Sequence, residues 1–278
     1  MGRVIAVNKF QISPASLPPR SPAAAPRVNI LGVGISALTL PQAVAQICTW
    51  IEQQAREYVS VCTVHTVMEC QRDATMRQAV NRAGLGTPDG MPLVWLGRRW
   101  QNEAEVGRVY GPDLMLALGE ASVERGYRHY FYGGATGTPE RLAEVLQQRF
   151  PGLAVAGAYS PPFRPLTPTE EAEIIARINA AKADVVWVGL GTPKQDLWML
   201  RQRPHLTAPV LIGVGAAFDF HTGRMPQAPR WMQQRGLEWL FRLIQEPGRL
   251  WFRYLVYNPL FVLLLAAQAL GVKRYQLD

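Results

Sequence analysis

The fold of this chain is limited most by a regular alternation of short apolar runs and longer amphipathic segments between residues 28 and 214. The apolar runs predict strands at 28–33, 58–63, 83–86, 128–132, 154–159, 184–190 and 210–214. The segments between them predict helices at 41–56, 67–81, 112–125, 138–150, 167–181 and 193–203. Strands that alternate with helices in this way indicate an α/β fold, in which a mostly parallel sheet carries helices on both faces.

The composition divides the chain into three segments. Residues 1–26 are rich in Pro, Ser and Ala, which predicts a disordered lead-in. They lack the long apolar run of a signal peptide, so no signal peptide is predicted. Residues 27–226 contain the alternating pattern and predict one α/β domain, and residues 227–278 predict a helical appendage. The three cysteines lack metal-binding spacing and indicate reduced thiols in a cytoplasmic protein.

The appendage carries an excess of positive charge. Eight basic and three acidic residues lie between Arg224 and Asp278, so this segment holds +5 of the net charge of +8. Such a local excess predicts an anionic partner, namely a phosphate ligand, an anionic membrane or nucleic acid. Nucleic acid is the weakest of these hypotheses, because the basic residues alternate with apolar ones and no nucleic-acid-binding motif is recognised.

The end of the appendage predicts contact with a membrane surface. Its apolar run, 260–270, is about half the roughly 20 residues that a spanning helix needs, and Asn258-Pro259 interrupts the sequence before it. A helix lying in the membrane surface, with apolar residues on one side and arginines on the other, fits this pattern. A helix docked on the α/β domain is the alternative.

One short turn, Thr87-Pro88-Asp89-Gly90, follows the third predicted strand. It places the carboxylate of Asp89 at the carboxyl edge of the sheet, where open α/β sheets bind their ligands. Apolar neighbours would partly exclude water from this carboxylate, and a partly desolvated Asp is a candidate general base. The alternative is an ordinary tight turn without a catalytic role.

Polar residues also follow the other strands, and in a parallel sheet all of these strand ends share one edge. The candidate site residues at that edge are Thr63, His65, Asp89, Gly133, Tyr159, Gly191, Lys194, Gln195 and Asp219. The segment 133–140 lacks the spacing of a dinucleotide-binding motif, but its glycines before a helix predict a phosphate site. In the segment 191–196, Lys194 and Gln195 offer donors to a phosphorylated or polyhydroxylated ligand.

Four arginines of the appendage recur at helical spacing: Arg235, Arg242, Arg249 and Arg253. A continuous helix would place them on one face, although Pro247-Gly248 is expected to break it. Such spacing usually indicates a solvated face, but the apolar surroundings here favour contact with phosphate on a ligand or a lipid. The histidines are scattered and no Asp-x-Asp motif occurs, so no metal site is predicted and arginines would neutralise a leaving diphosphate.

Five motifs occur in order: Pro88-Asp89-Gly90 with Thr63 before it, 108–114 (RVYGPDL), 189–195 (GLGTPKQ), 213–219 (GVGAAFD), and 236–243 (GLEWLFRL) with 246–249 (EPGR). Through them the chain, over about residues 28–256, resembles the WecG/TagA/CpsF glycosyltransferases. The resemblance implies a Rossmann-like, inverting enzyme that needs no metal or other cofactor. It also implies a peripheral protein at the cytoplasmic face of the plasma membrane.

Enzymes of this family move a sugar, typically of the N-acetylmannosamine type, from a UDP-sugar donor to a polyprenyl-diphosphate-linked sugar for surface polysaccharide or teichoic acid. By position, Asp89 resembles the general base of the family and Thr63 its polar partner. The resemblance and the strand ends together predict these substrate-binding residues: His65, Arg108, Gly133, Tyr159, Gly191, Lys194, Gln195, Asp219, Arg242, Arg249 and Arg253.

Two positions differ from the family pattern, which usually has Asn at His65 and Glu at Asp196. Both lie beside the predicted pocket, so the donor sugar stays open. Two other functions also stay open, a nucleotide-sugar oxidoreductase or epimerase and a non-catalytic scaffold at the membrane surface. A homo-oligomer is compatible with the sequence.

Overall fold

The computed structural model describes residues 25–100 and 105–277, and a six-stranded sheet in which all neighbouring strands are parallel lies at its centre. The strands in chain order are β1 (Arg27–Ile30), β2 (Val33–Ser36), β3 (Glu57–Cys62), β4 (Leu85–Pro88), β5 (Arg128–Gly133), β6 (Ala154–Tyr159), β7 (Val185–Gly189) and β8 (Val210–Gly213). The sheet has the order β4-β3-β8-β7-β5-β6, and β1 and β2 form a separate antiparallel pair.

Helices cover both faces of the sheet, which confirms the predicted α/β fold. They are α1 (Leu40–Glu52), α2 (Val64–Arg72), α3 (Ala74–Arg82), α4 (Met91–Trp100), α5 (Gly111–Arg125), α6 (Thr138–Arg149), α7 (Pro168–Ala180), α8 (Lys194–Gln202), α9 (Ala217–His221), α10 (Arg230–Gln234), α11 (Glu238–Gln245), α12 (Pro247–Trp251) and α13 (Tyr257–Ala269). A π-helical stretch, Phe252–Val256, joins α12 to α13.

The central strand β7 shows how the two faces are filled. Val185 and Trp187 pack with α1, α5 and α6, whereas Val186 and Val188 pack with α7 and α8 on the opposite face. All four side chains are fully buried. A strand buried on both faces is therefore apolar at every position, as the sequence predicts for 184–190.

Two predicted elements are divided in the structure, and the strand predicted at 83–86 is shifted to Leu85–Pro88. The strand predicted at 28–33 is the hairpin β1–β2, because Leu31 and Gly32 both have positive φ (52° and 80°) and form its two-residue turn. The helix predicted at 67–81 is divided into α2 and α3 by Asp73. Its extended backbone ends α2, and its carboxylate accepts hydrogen bonds from the first turn of α3.

The appendage also differs from its prediction. Helix α11 ends before Glu246, next to the break predicted at Pro247-Gly248. The interruption predicted at Asn258-Pro259 does not occur, and one continuous helix runs over Pro247–Ala269. The π-helical stretch lies just before Pro259, where a proline ring in a regular α-helix would crowd the carbonyl four residues earlier. This helix has 23 residues and is long and apolar enough to cross a membrane by length and composition.

One face of this helix is docked on the α/β domain. Tyr257 and Phe261 are buried against α2 and the β1–β2 hairpin. The hydroxyl of Tyr257 donates to Glu69, and the side chain of Gln268 bonds to the backbone of Asn29 and Leu31. The opposite face is exposed and apolar, with Val262 and Leu263 among its residues. The predicted lead-in, 1–26, lies outside the described residues except for its last two positions.

Candidate active site

Asp89 lies where β4 ends at the carboxyl edge of the sheet. Its backbone N–H donates to the carbonyl of Cys62 (2.9 Å), so it stands beside Thr63, the first residue after β3. The side chain of Asp89 is 15% exposed. Thr87 and Pro88 of the predicted turn belong to β4, and the chain leaves the strand at Asp89, which puts a mostly buried carboxylate at the edge where ligands bind in parallel sheets.

Arg108 contacts this carboxylate from the loop before α5. Its Nε donates to the carbonyl oxygen of Asp89 (2.5 Å), and its Nη2 lies 3.3 Å from Asp89 Oδ1. The same Nη2 donates to Oε2 of Glu238 on α11 at 2.5 Å. The guanidinium of Arg108 is thus shared between one carboxylate of the α/β domain and one of the appendage.

The surroundings of Asp89 raise its pKa from 3.8 to about 7. Burial is the main cause, and the negative charge of Glu238 adds to it. Arg108 and Arg242 act in the opposite direction but do not cancel the effect of burial. A carboxylate with a pKa near neutral pH is suited to accept a proton from a substrate hydroxyl.

Arg242 and Arg253 bring positive charge from the appendage to the same place. The Nε atoms of both are buried, and neither has a hydrogen-bond partner within 25–100 and 105–277. Burial lowers the pKa of Arg253, and repulsion from Arg242 and Arg249 lowers it further against the opposing effect of Tyr254. Both side chains are half-buried, and an arginine with an unused buried Nε donor is suited to hold a phosphorylated ligand.

Arg249 does not join this buried pair. Its side chain is 62% exposed, and it forms an ion pair with Glu246, with Nε–Oε2 at 2.6 Å. The break between α11 and α12 at Glu246 turns Arg249 outward. Its predicted role in substrate binding stays a prediction.

Thr63 and His65 lie at the start of α2. The hydroxyl of Thr63 accepts a hydrogen bond from Thr66 N (3.4 Å) and caps the helix. His65 stacks on Tyr257 of the appendage with ring centroids 5.8 Å apart. Burial lowers the pKa of His65 to about 3, and the nearby charge of Arg253 contributes, so this imidazole is neutral at physiological pH.

The loop between β7 and α8 is held by Gln195, whose side chain is buried. Its Oε1 accepts hydrogen bonds from Gly191 N (3.1 Å) and Gly215 N (2.9 Å), so that it joins the loops after β7 and β8. Lys194 is exposed, and its Nζ lies 4.8 Å from the ring centre of Phe163. Gln195 thus orders two loops of the edge, whereas Lys194 faces solvent.

Replacing Gln195 by Met should loosen these loops, because Met has a similar size but offers the two N–H groups no good acceptor. We expect a loss of about 1–3 kcal/mol in the free energy of unfolding. Urea unfolding measures the effect. Gln148→Met on the exposed face of α6 is the matched control, and equal values for both variants would contradict a role of Gln195 in loop order.

Asp196 lies directly below the same loop and is fully buried. Its carboxylate accepts hydrogen bonds from Ser60 (2.6 Å) and Thr192 (3.0 Å). Burial raises its pKa to about 6, although both hydroxyls act to lower it. Since its oxygens are directed to Ser60 and Thr192, Asp196 supports the loop that faces His65.

Two predicted residues lie farther along the edge, whereas a third, Asp219, lies after β8 in the middle of the sheet. Gly133 ends β5 with φ 118° against the backbone of Gly189, and Tyr159 ends the edge strand β6. With about 4.8 Å between neighbouring strands, β5 and β6 lie roughly 19 and 24 Å from β4. Asp219 on α9 forms an ion pair with Arg224 (3.4 Å). The edge is shared as predicted, but Gly133 and Tyr159 do not meet Asp89.

Sequence reasoning missed Glu238 and Tyr110 as parts of the site, although both lie in the quoted motifs. The hydroxyl of Tyr110 donates to Glu238 Oε1 (3.2 Å), and its ring packs 4.0 Å from the guanidinium carbon of Arg108. One signal was present, because Glu238 is one of only three acidic residues in a basic segment. Within the described ranges, no group of three His, Cys, Asp or Glu side chains is placed to hold a metal ion.

A carboxylate with a pKa near 7 and two nearby arginines with unpartnered Nε donors are suited to an enzyme that deprotonates a hydroxyl and stabilises a phosphorylated leaving group. The chain belongs to the Glycosyl transferase WecG/TagA/CpsF family, whose model matches residues 28–275. It is therefore a glycosyltransferase, which acts on a sugar donor and an acceptor.

Proposed function

We propose that this chain is an inverting glycosyltransferase that moves a sugar of the N-acetylmannosamine type from a UDP-sugar to a polyprenyl-diphosphate-linked sugar. The observation that carries the proposal is the juxtaposition of Asp89 with Arg242 and Arg253. Asp89 accepts the proton of the acceptor hydroxyl, whose oxygen attacks the anomeric carbon. The bond from that carbon to UDP breaks on the opposite face, so the configuration inverts.

The charge of the departing UDP is met by protein groups in this proposal. As the bond to the anomeric carbon breaks, negative charge grows on the diphosphate. The Nε donors of Arg242 and Arg253 are buried without a hydrogen-bond partner in the described ranges, so no protein hydrogen bond of these Nε atoms has to break before they bind an anion. Arginine positioned before the reaction stabilises such charge without a divalent cation.

Peripheral attachment to the cytoplasmic face of the membrane is part of the proposal. The exposed side of Pro247–Ala269 presents apolar side chains, among them Leu255 (56% exposed) and Leu263 (67%). A spanning position would have to release Tyr257, Phe261 and Gln268 from their contacts with the domain. A helix that keeps these contacts and lays its outer face on the lipid brings the site to a lipid-linked acceptor.

A screen of UDP-sugars with the full-length protein tests the proposal, with vesicles that carry polyprenyl-diphosphate-linked sugars. We expect UDP release that depends on the acceptor and persists in EDTA. Donors of the N-acetylmannosamine type should react fastest, and NMR should show a product of inverted anomeric configuration. UDP release without acceptor, or turnover that requires a nicotinamide, would contradict the proposal. The absence of any turnover with all donors would favour a scaffold.

A further inference from the structure

Glu238 makes the shorter of the two carboxylate contacts of Arg108. Arg108 Nη2 lies 2.5 Å from Glu238 Oε2 and 3.3 Å from Asp89 Oδ1. Nη2 carries two N–H groups and donates to both carboxylates, with the shorter bond to Glu238 and the longer one to Asp89. Because Glu238 and Gln233 take the other Nη donors of Arg108, Asp89 receives one long side-chain contact from this arginine instead of a bidentate pair.

The position of Glu238 is fixed from both sides. Its Oε1 accepts a hydrogen bond from Tyr110, and the ring of Tyr110 lies against the guanidinium of Arg108. Nη1 of Arg108 donates to Gln233 Oε1 at 3.2 Å, a second contact between Arg108 and the appendage. The side chains of Glu238 and Arg108 are only 18% and 16% exposed, so solvent screens these contacts weakly.

We propose that Glu238 is a positioning residue of the transfer reaction, which shares Arg108 with the Asp89 carboxylate and so prevents a bidentate pair between Arg108 and Asp89. The inference rests on the proposed function of Asp89 as general base. Because Glu238 lies on α11, the basicity of Asp89 depends on the docked position of the appendage.

The charged and titratable groups around Asp89 allow the sign of the effect to be worked out. They are Arg108 and Tyr110 before α5, Glu238 and Arg242 on α11, Arg253 in the π-helical stretch, and Cys62 at the end of β3. Glu238 raises the pKa of Asp89, whereas Arg108 and Arg242 lower it. Removing the charge of Glu238 takes away one raising effect and frees Arg108, so both changes lower the pKa of Asp89.

The pH profile of Glu238→Gln tests the proposal. Since the ionised form of Asp89 is the active one, kcat/KM of the wild type should fall about tenfold per pH unit below pH about 7. In Glu238→Gln this acid limb should move to lower pH by about one unit or more, and the rate at pH 8 should fall because a weaker base accepts the proton. Glu124→Gln, an exposed residue on α5, makes the same charge change away from the site and should leave the profile unchanged.

A ¹³C NMR titration of the aspartate carboxyl groups measures the same pKa without turnover. Asp89→Asn assigns the signal, and its midpoint should be lower in Glu238→Gln than in the wild type. A lower midpoint in a protein that shows no UDP release would support the inference about Glu238 and contradict the proposed function. An unchanged midpoint and acid limb, with a uniformly lower rate, would show that Glu238 only holds the appendage in place.

Glu238→Asp is a second variant that tests the proposal even if the Gln variant does not fold. It keeps the negative charge near Arg108, so its acid limb should stay closer to the wild-type position than to the ordinary range of an aspartate. A limb displaced fully to that ordinary range, with the charge still present, would contradict the proposal.

Discussion

Asp89→Asn should lose sugar transfer by about 10²- to 10⁴-fold in kcat, which is the usual contribution of a positioned general base. The amide cannot accept the proton of the acceptor hydroxyl, whereas its oxygen keeps the geometry of the contact with Arg108. Binding of the donor should change little, because the arginines of the appendage stay in place. Acceptor-dependent UDP release gives the rate, and calorimetric titration with UDP gives the affinity.

The stability of Asp89→Asn separates loss of chemistry from loss of fold. The folded protein raises the pKa of Asp89 from 3.8 to about 7, so the folded state favours the protonated carboxyl. The stabilising effect of that protonation is present below pH 4 and is lost as the pH rises through 7. A neutral Asn avoids the ionised form, and the free energy of unfolding at pH 8 should not fall. Full activity of this variant with a lipid-linked acceptor would overturn the role of Asp89.

Local signals in the sequence were sufficient to place Asp89. The strand ends just before Asp89 whether or not this residue is catalytic, and a parallel sheet has only one edge on which its strands end. Burial at that edge follows from the apolar residues around the turn. The location of Asp89 therefore needed only neighbouring residues and the strand direction.

The placement of the arginines could not be derived from spacing alone. A separation of seven residues puts Arg242 and Arg249 on one face only if the helix is continuous. Glu246, with φ −135° and ψ 61°, ends α11, and Arg249 then pairs with Glu246 on the surface. The sequence identified Pro247-Gly248 as a break, but the direction of the chain after a break depends on tertiary packing.

Contacts between distant segments were beyond sequence reasoning for the same reason. Arg108 and Glu238 are 130 positions apart, and no local pattern links them. The hairpin turn at Leu31-Gly32 was missed for a different reason. It lies within an uninterrupted apolar run, and Leu rarely adopts the positive φ that the turn requires.

Arg253→Gln should weaken transfer by about 10²- to 10³-fold, the usual effect of removing one donor that stabilises charge in a transition state. It should also weaken the binding of UDP, because the diphosphate loses the contact with one of the two arginines, Arg242 and Arg253. Initial rates with a lipid-linked acceptor and calorimetric titration with UDP measure these effects. Arg235→Gln is the matched control, since Arg235 lies on the exposed side of the appendage, 5.8 Å from the ring centre of Trp231.

The same substitution should leave the ligand-free protein at least as stable as the wild type. Burial and repulsion from Arg242 lower the pKa of Arg253, so its charge is unfavourable in the folded state until an anion is present. The wild type should therefore gain more in Tm from added UDP than Arg253→Gln does. An equal gain in both would contradict a diphosphate contact at Arg253. A buried charge that lacks its ligand destabilises the empty site and is compensated only when the anion binds. Removing it should therefore not lower the Tm of the ligand-free protein. A lower Tm of the variant without ligand would mean instead that the guanidinium supports the fold.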